Sequence, residues 1–161
     1  MTTPNAGWVI VLTFFIAILL MIMPLPEWGQ PLRPHWVAMV LVYWCLALPS
    51  RIGILSAWSC GLLLDVLSGT LLGEQALALS LVAYITLWLH KRIRVKPLLH
   101  QALILFLILL LAHHIPLLWI QGISGQSIQS WTYWITPFSS ALLWPVVFLL
   151  LRYVRRKFRV T

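Results

Sequence analysis

All but one of the charged residues in this chain lie in the gaps between long apolar runs, and that pattern decides what it can fold into. Six such runs follow one another, at about 8–23, 34–48, 52–68, 75–89, 98–120 and 134–151. A helix needs about 20 apolar residues to cross a hydrocarbon core roughly 30 Å thick. The runs at 34–48 and 75–89 are shorter and need interfacial flanks or burial among neighbours. In lipid every backbone polar group must be satisfied within the protein, which makes helices of such runs. With 61% hydrophobic and 9% charged residues, the chain cannot give a soluble domain of its length a polar surface. The expected fold is all-α: a single integral membrane domain over 1–161, with six transmembrane helices and a basic tail over 152–161.

The basic residues set the expected orientation. With six spans and the N-terminus inside, the inner segments are 49–51, 90–97 and the tail after 151. They hold Arg51, then Lys91, Arg92, Arg94 and Lys96, then Arg152, Arg155, Arg156, Lys157 and Arg159. These are ten of the eleven basic residues, and Arg33 is the exception. Lys and Arg accumulate in inner loops. Glu27 and Glu74, two of the three acids, fall in outer ones. A five-span chain would put a basic cluster on each side unless the missing span lay before Lys91. Both termini are therefore expected in the cytoplasm. The net charge of +8 then reflects topology and anionic lipid headgroups, with no nucleic-acid partner. Arg92, Arg94, Arg152, Arg155, Arg156, Lys157 and Arg159 are candidate contacts to lipid or to a cytoplasmic partner.

The tryptophans agree with this placement. Trp28, Trp36, Trp119, Trp131 and Trp134 lie near the expected outer interface, and Trp8 and Trp88 near the inner one, as in an aromatic belt. Trp44, Trp58 and Trp144 are deeper and are expected to pack. Cys45 and Cys60 fall inside spans, have no metal-ligand spacing, and read as small apolar packing residues. The first run has no basic leader and no A-x-A-like site after it, so an uncleaved span is expected. The outer segment 121–133, uncharged and rich in Gly, Ser and Gln, reads as a flexible connection or a small lid.

One carboxyl stands inside the apolar sequence. Asp65 is the only charged residue between Ile52 and Gly73, in GLLLDVLSGTLLGEQ. Gly53, Ala57, Gly61, Asp65, Gly69 and Gly73 recur every four residues, which places the helical ones on one face. Small residues there admit a second helix backbone at close range. The helix is expected to end near Ser68-Gly69-Thr70, so that the last two glycines shape a turn. Asp65 then lies about one turn from the outer end. Two roles are open to it. It ties the end of the third span to the turn before the fourth, or it belongs to a proton or substrate relay. A relay usually needs further ionisable groups within the membrane, and few are present.

Other polar residues give weaker signals. His113 and His114 are adjacent and so point about 100° apart on a helix, which does not make a two-ligand metal site. They are read as interfacial or interhelical hydrogen-bonding groups, and His35 and His100 as interfacial. Pro145 falls inside the last run and removes a helical hydrogen bond, which predicts a kink. No catalytic set, cofactor motif or metal cluster is apparent, and three acids are too few for most hydrolytic chemistry.

Three stretches carry a family resemblance: RPHWVAMVLVYWCLALPSRIG (33–53), GLLLDVLSGTLLGEQALALSLVAY (61–84) and LLWPVVFLLLR (142–152). Over nearly its whole length the chain resembles the MreD family of the bacterial rod-shape complex, in the form found in Gram-negative rods. Gly61, Asp65, Ser68, Gly69 and Gly73 stand where that family's motif has them. The resemblance implies a multi-pass protein of the bacterial cell inner membrane. It implies a fold similar to the six-helix substrate-binding subunits of energy-coupling-factor transporters. It also implies no enzymatic reaction and no cofactor. The implied partners are the bitopic protein MreC, most directly, and MreB, RodA and a class B penicillin-binding protein as complex members. The implied function is a scaffold that binds the MreC anchor and helps position peptidoglycan synthesis. A reading of another class is a small-molecule binder or transporter component. It expects an outward polar pocket near Asp65, His113 and the 121–133 segment.

Overall fold

The computed structural model describes residues 7–29, 32–69, 71–125 and 134–160. Among these the chain forms six helical rods and no strand: α1 Gly7–Ile22, α2 Trp36–Ala47, α3 Ile54–Ser68, α4 Glu74–Arg94, α5 Leu98–Ile123 and α6 Ile135–Lys157. A π-helical turn, Leu109–His114, interrupts α5. By length and apolar composition α4, α5 and α6 qualify as membrane spans, whereas α1, α2 and α3 are shorter apolar helices. Thr70, Trp131 and most of the 121–133 segment lie outside the described residues.

Two helix ends differ most from the sequence-based boundaries. α4 continues to Arg94, not 89, and α6 continues to Lys157, not 151. Apolar periodicity marks where lipid contact stops, and the backbone has no reason to unwind there. Lys and Arg are good helix formers, and their charge favours the C-terminal end of the helix dipole. Arg92 and Arg94 are thus helical, as are Arg152, Arg155, Arg156 and Lys157.

α2 is the axis of the molecule. Every residue from Val37 to Leu46 is buried, with Trp44 and Cys45 fully enclosed. At 1.5 Å per residue its 12 residues extend only about 18 Å, short for a span but sufficient for a helix wrapped by α1, α4 and α6. Contact between helices in lipid depends on close packing and a few hydrogen bonds. Here the Trp44 indole donates to Thr13 Oγ1 at 2.9 Å, and that hydroxyl donates to the Ile10 carbonyl at 2.7 Å. Tyr43 meets Trp44 and Phe148 edge-on at 5.3 and 5.5 Å. The outward faces are apolar, with Val11, Leu55, Val66 and Leu142 among the exposed side chains.

Arg33, the basic residue that departs from the charge rule, has a local explanation. Its guanidinium donates to the carbonyls of Met21 and Met23 at the end of α1. The last carbonyls of a helix lack intrahelical donors, and a cation suits them. At the opposite end of the molecule the start of α1 meets the end of α6, where Trp8 and Phe158 pack edge-on at 5.3 Å.

Candidate functional site

α3 is buried on one stripe only, formed by Ala57, Gly61, Leu64 and Asp65, and that stripe lies against α4. Gly61 sets the approach. A Cβ built on it would stand 2.5 Å from the Ala76 nitrogen and 2.7 Å from the Gln75 carbonyl oxygen, and closer still to Ala76 Cα. Only glycine lets the two backbones come this near.

One turn further along, Asp65 is 1% exposed. Its Oδ2 accepts the Gly73 N–H at 2.9 Å and the Ala76 N–H at 3.4 Å, and its Oδ1 accepts the Gln75 N–H at 3.0 Å. The first N–H groups of a helix have no internal acceptor and carry the positive end of its dipole. Asp65 therefore caps α4 from the neighbouring helix. The connection is shaped by two left-handed glycines, Gly69 at φ 68° after α3 and Gly73 at φ 99° before α4. Ser68 is the exposed last residue of α3.

Beyond the cap a buried polar chain crosses to α5, α2 and α6. Gln75 Oε1 accepts from His113 Nε2 at 3.0 Å, and Gln121 Nε2 donates to Glu74 Oε1 at 3.2 Å. The His113 ring lies edge-on to His35 at 4.0 Å between centroids. His35 caps its own helix, its Nδ1 accepting the Ala38 N–H at 3.2 Å, and its backbone N–H donates to Ser140 Oγ at 2.9 Å. His35 is almost completely buried, 4% exposed, its ring completing the α2 N-terminus and packing on His113. His113 and His114 sit in the π turn and are both buried. Such turns are rare and often mark functional positions. Among the described residues, His113 Nδ1 has no hydrogen-bond partner, and the His35 ring interacts with the Gln75 side chain. No three His, Cys, Asp or Glu side chains among the described residues are placed to share a metal ion.

The far end of α4 is held in a matching way. Buried Gln101 donates from Nε2 to the Ile93 carbonyl at 3.2 Å and to the Lys96 carbonyl at 3.1 Å, and its Oε1 accepts the Trp144 indole N–H at 3.4 Å. Around it Arg94, Arg152, Arg155, Arg156 and Arg159 line a cavity, which Arg92 and Lys157 do not. Lys157 lies over the Tyr153 and Phe158 rings instead, about 6.0 Å from the latter. Pro145 is inside α6, which runs through it unbroken, and leaves the Ala141 carbonyl without its usual donor.

Gln75, Ala76 and Gln101 were not singled out by the sequence. The signal for Gln101 was an amide inside an apolar run. Gln75 and Ala76 act on Asp65 through their backbone N–H groups, which every non-proline residue possesses.

Six apolar helices, with buried polar side chains turned onto helix ends and onto one another, define an α-helical membrane protein. The sequence model of the rod shape-determining protein MreD matches residues 3–154. The rod shape-determining protein MreD of Haemophilus influenzae is 35% identical over 154 residues, covering 95% of this chain and 94% of its own length. No solved structure matches the chain. The chain belongs to the MreD family, and a role in cell shape follows from that membership.

Proposed function

We propose that the protein is a non-enzymatic scaffold of the bacterial cell-elongation complex. It is inserted in the inner membrane with both ends in the cytoplasm, and it holds the membrane anchor of MreC beside MreB, RodA and a class B penicillin-binding protein. The observation that carries this reading is the use made of Asp65. A carboxyl within an apolar sequence is the natural starting point for catalysis or transport, yet it accepts three backbone N–H groups at the head of α4. Its work is to fix a helix pair. Family membership and the exposed apolar faces of α1 and α3 support a partner helix in the bilayer. A mild-detergent pulldown of the tagged chain from native membranes tests it. Stoichiometric recovery of MreC, reduced for an Asp65→Leu variant that still inserts, is the expected result. Recovery of the chain alone rejects the scaffold.

A second reading, a small-molecule binder, draws on His113 Nδ1, a buried ring nitrogen without a partner beside the His35 ring. Saturable binding of a small polar ligand, abolished by His113→Phe, would favour it over the scaffold.

A further inference from the structure

The cavity at the basic end has a volume of about 500 Å³. Five arginines line it, and none of the three acidic residues of the protein does. Like charges repel, so such a cluster is stable only with a counter-charge or with water. Guanidinium forks match phosphate oxygens in pairs, which a point charge cannot do. The inner wall is Tyr43, 2% exposed, whose hydroxyl is enclosed and interacts with the Arg155 side chain, leaving its own proton to be donated. That hydroxyl lies in the field of Arg155, Arg152 and Arg156. Leu46 and Phe148 make the wall apolar beside it.

The backbone at the rim is also unusual. The Val160 N–H donates to the Arg155 carbonyl at 3.0 Å and the Arg159 N–H to the Arg156 carbonyl at 3.3 Å, closing α6 with a Schellman motif. Glycine normally takes the left-handed position of that motif. Here it is Arg159, at φ 49°. The strained residue is one of the five arginines, and Val160 after it is buried in the cavity wall.

We propose that this cavity is a binding site for a phosphate headgroup, filled by an anionic phospholipid of the leaflet that the basic helix ends face. It rests on the membrane reading and is independent of which protein partner the apolar faces hold. Two or more arginines grip the phosphate oxygens, the Tyr43 hydroxyl donates to one of them, and Leu46 and Phe148 meet the first carbons of the lipid. Basic pockets between membrane helices are known to take such headgroups.

The test is native mass spectrometry of the full chain in neutral detergent, offered cardiolipin, phosphatidylglycerol, phosphatidylcholine or inorganic phosphate. The expected result is one retained anionic lipid, preferred over phosphatidylcholine by about tenfold or more. Arg152→Gln with Arg155→Gln should abolish retention, while Lys91→Gln with Arg92→Gln, an equal loss of charge outside the cavity, should leave it intact. Arg159→Gly separates binding from folding. It relieves the left-handed strain, so the thermal midpoint should hold or rise while lipid retention falls. Tyr43→Phe should weaken retention without unfolding the chain. Equal losses in the two double variants would overturn the site, leaving only diffuse surface attraction. Unchanged retention in both Arg159→Gly and Tyr43→Phe would overturn it too. Retention of inorganic phosphate as readily as of lipid would overturn the assignment to lipid. Displacement of the lipid by an acidic peptide would overturn it in favour of a protein partner.

Discussion

Gly61 on α3 and Ala76 on α4 face each other with no room for a methyl group between them. The contact sits one turn from the Asp65 cap, so approach and capping belong to one junction. Gly61→Ala should therefore lower stability by about 1–3 kcal/mol, the usual cost of overpacking, and Gly61→Val by more. Unfolding in mixed micelles, followed by tryptophan fluorescence, reads this. An alanine variant as stable as the parent would mean that the two helices part freely.

Asp65→Leu removes the acceptor from three N–H groups and leaves them in an apolar setting. A loss of about 1–3 kcal/mol is expected, with faster amide exchange at Gly73, Gln75 and Ala76. Asp65→Asn should fall between the two, because one of its two acceptor oxygens becomes a donor that faces donors. If the leucine variant exchanged at the parent's rate, another group would have to be capping α4.

At the other end of α4, Gln101→Leu removes the side-chain donor from the Ile93 carbonyl, which keeps the Lys96 N–H, and from the Lys96 carbonyl, and it strands the Trp144 indole N–H. The expected destabilisation is again about 1–3 kcal/mol. Trp144→Phe removes only one of these bonds. A double-mutant cycle between the two positions should give a coupling of about 0.5–1.5 kcal/mol. A coupling of zero would contradict the bond between them.

Gly53, Gly69 and Gly73, which share the four-residue spacing, should separate by backbone conformation. Gly69→Ala and Gly73→Ala force a side chain into a left-handed position and should each cost about 1–2 kcal/mol. Gly53→Ala should be close to neutral, since its φ of −133° suits any residue and nothing crowds it. Three equal effects would show that crowding, not φ, decides these sites.

The order of the helices was legible because charge segregation is a one-dimensional signal. The four-residue stripe through Ala57, Gly61 and Asp65 likewise marks a helix face without reference to the rest of the chain. What was not legible depends on pairs distant in sequence. Gln75 and His113 are 38 residues apart, and nothing local marks either as the other's partner. The π turn at Leu109–His114 has no composition of its own, since LLLAHH suits an ordinary helix equally well. A proline-flanked histidine at a run's edge, His35, gives no local sign that it is buried within the protein. Its ring packs on His113, and its backbone N–H bonds Ser140, 105 residues later. The helix ends at Arg94 and Lys157 were hidden for another reason. Hydropathy reports the solvent around a helix, whereas hydrogen bonding decides where it stops.

A helix that begins in lipid ordinarily needs its first turn lifted to the water line, because water is the nearest acceptor. α4 carries its acceptor with it in the Asp65 carboxyl. The junction between α3 and α4 is thereby released from the depth of the surrounding membrane. The 15 residues of α3, about 22 Å at full helical rise, need not be stretched to reach the surface. A bilayer accommodates an apolar helix as short as this by thinning, by snorkelling of its flanks or by association with other helices.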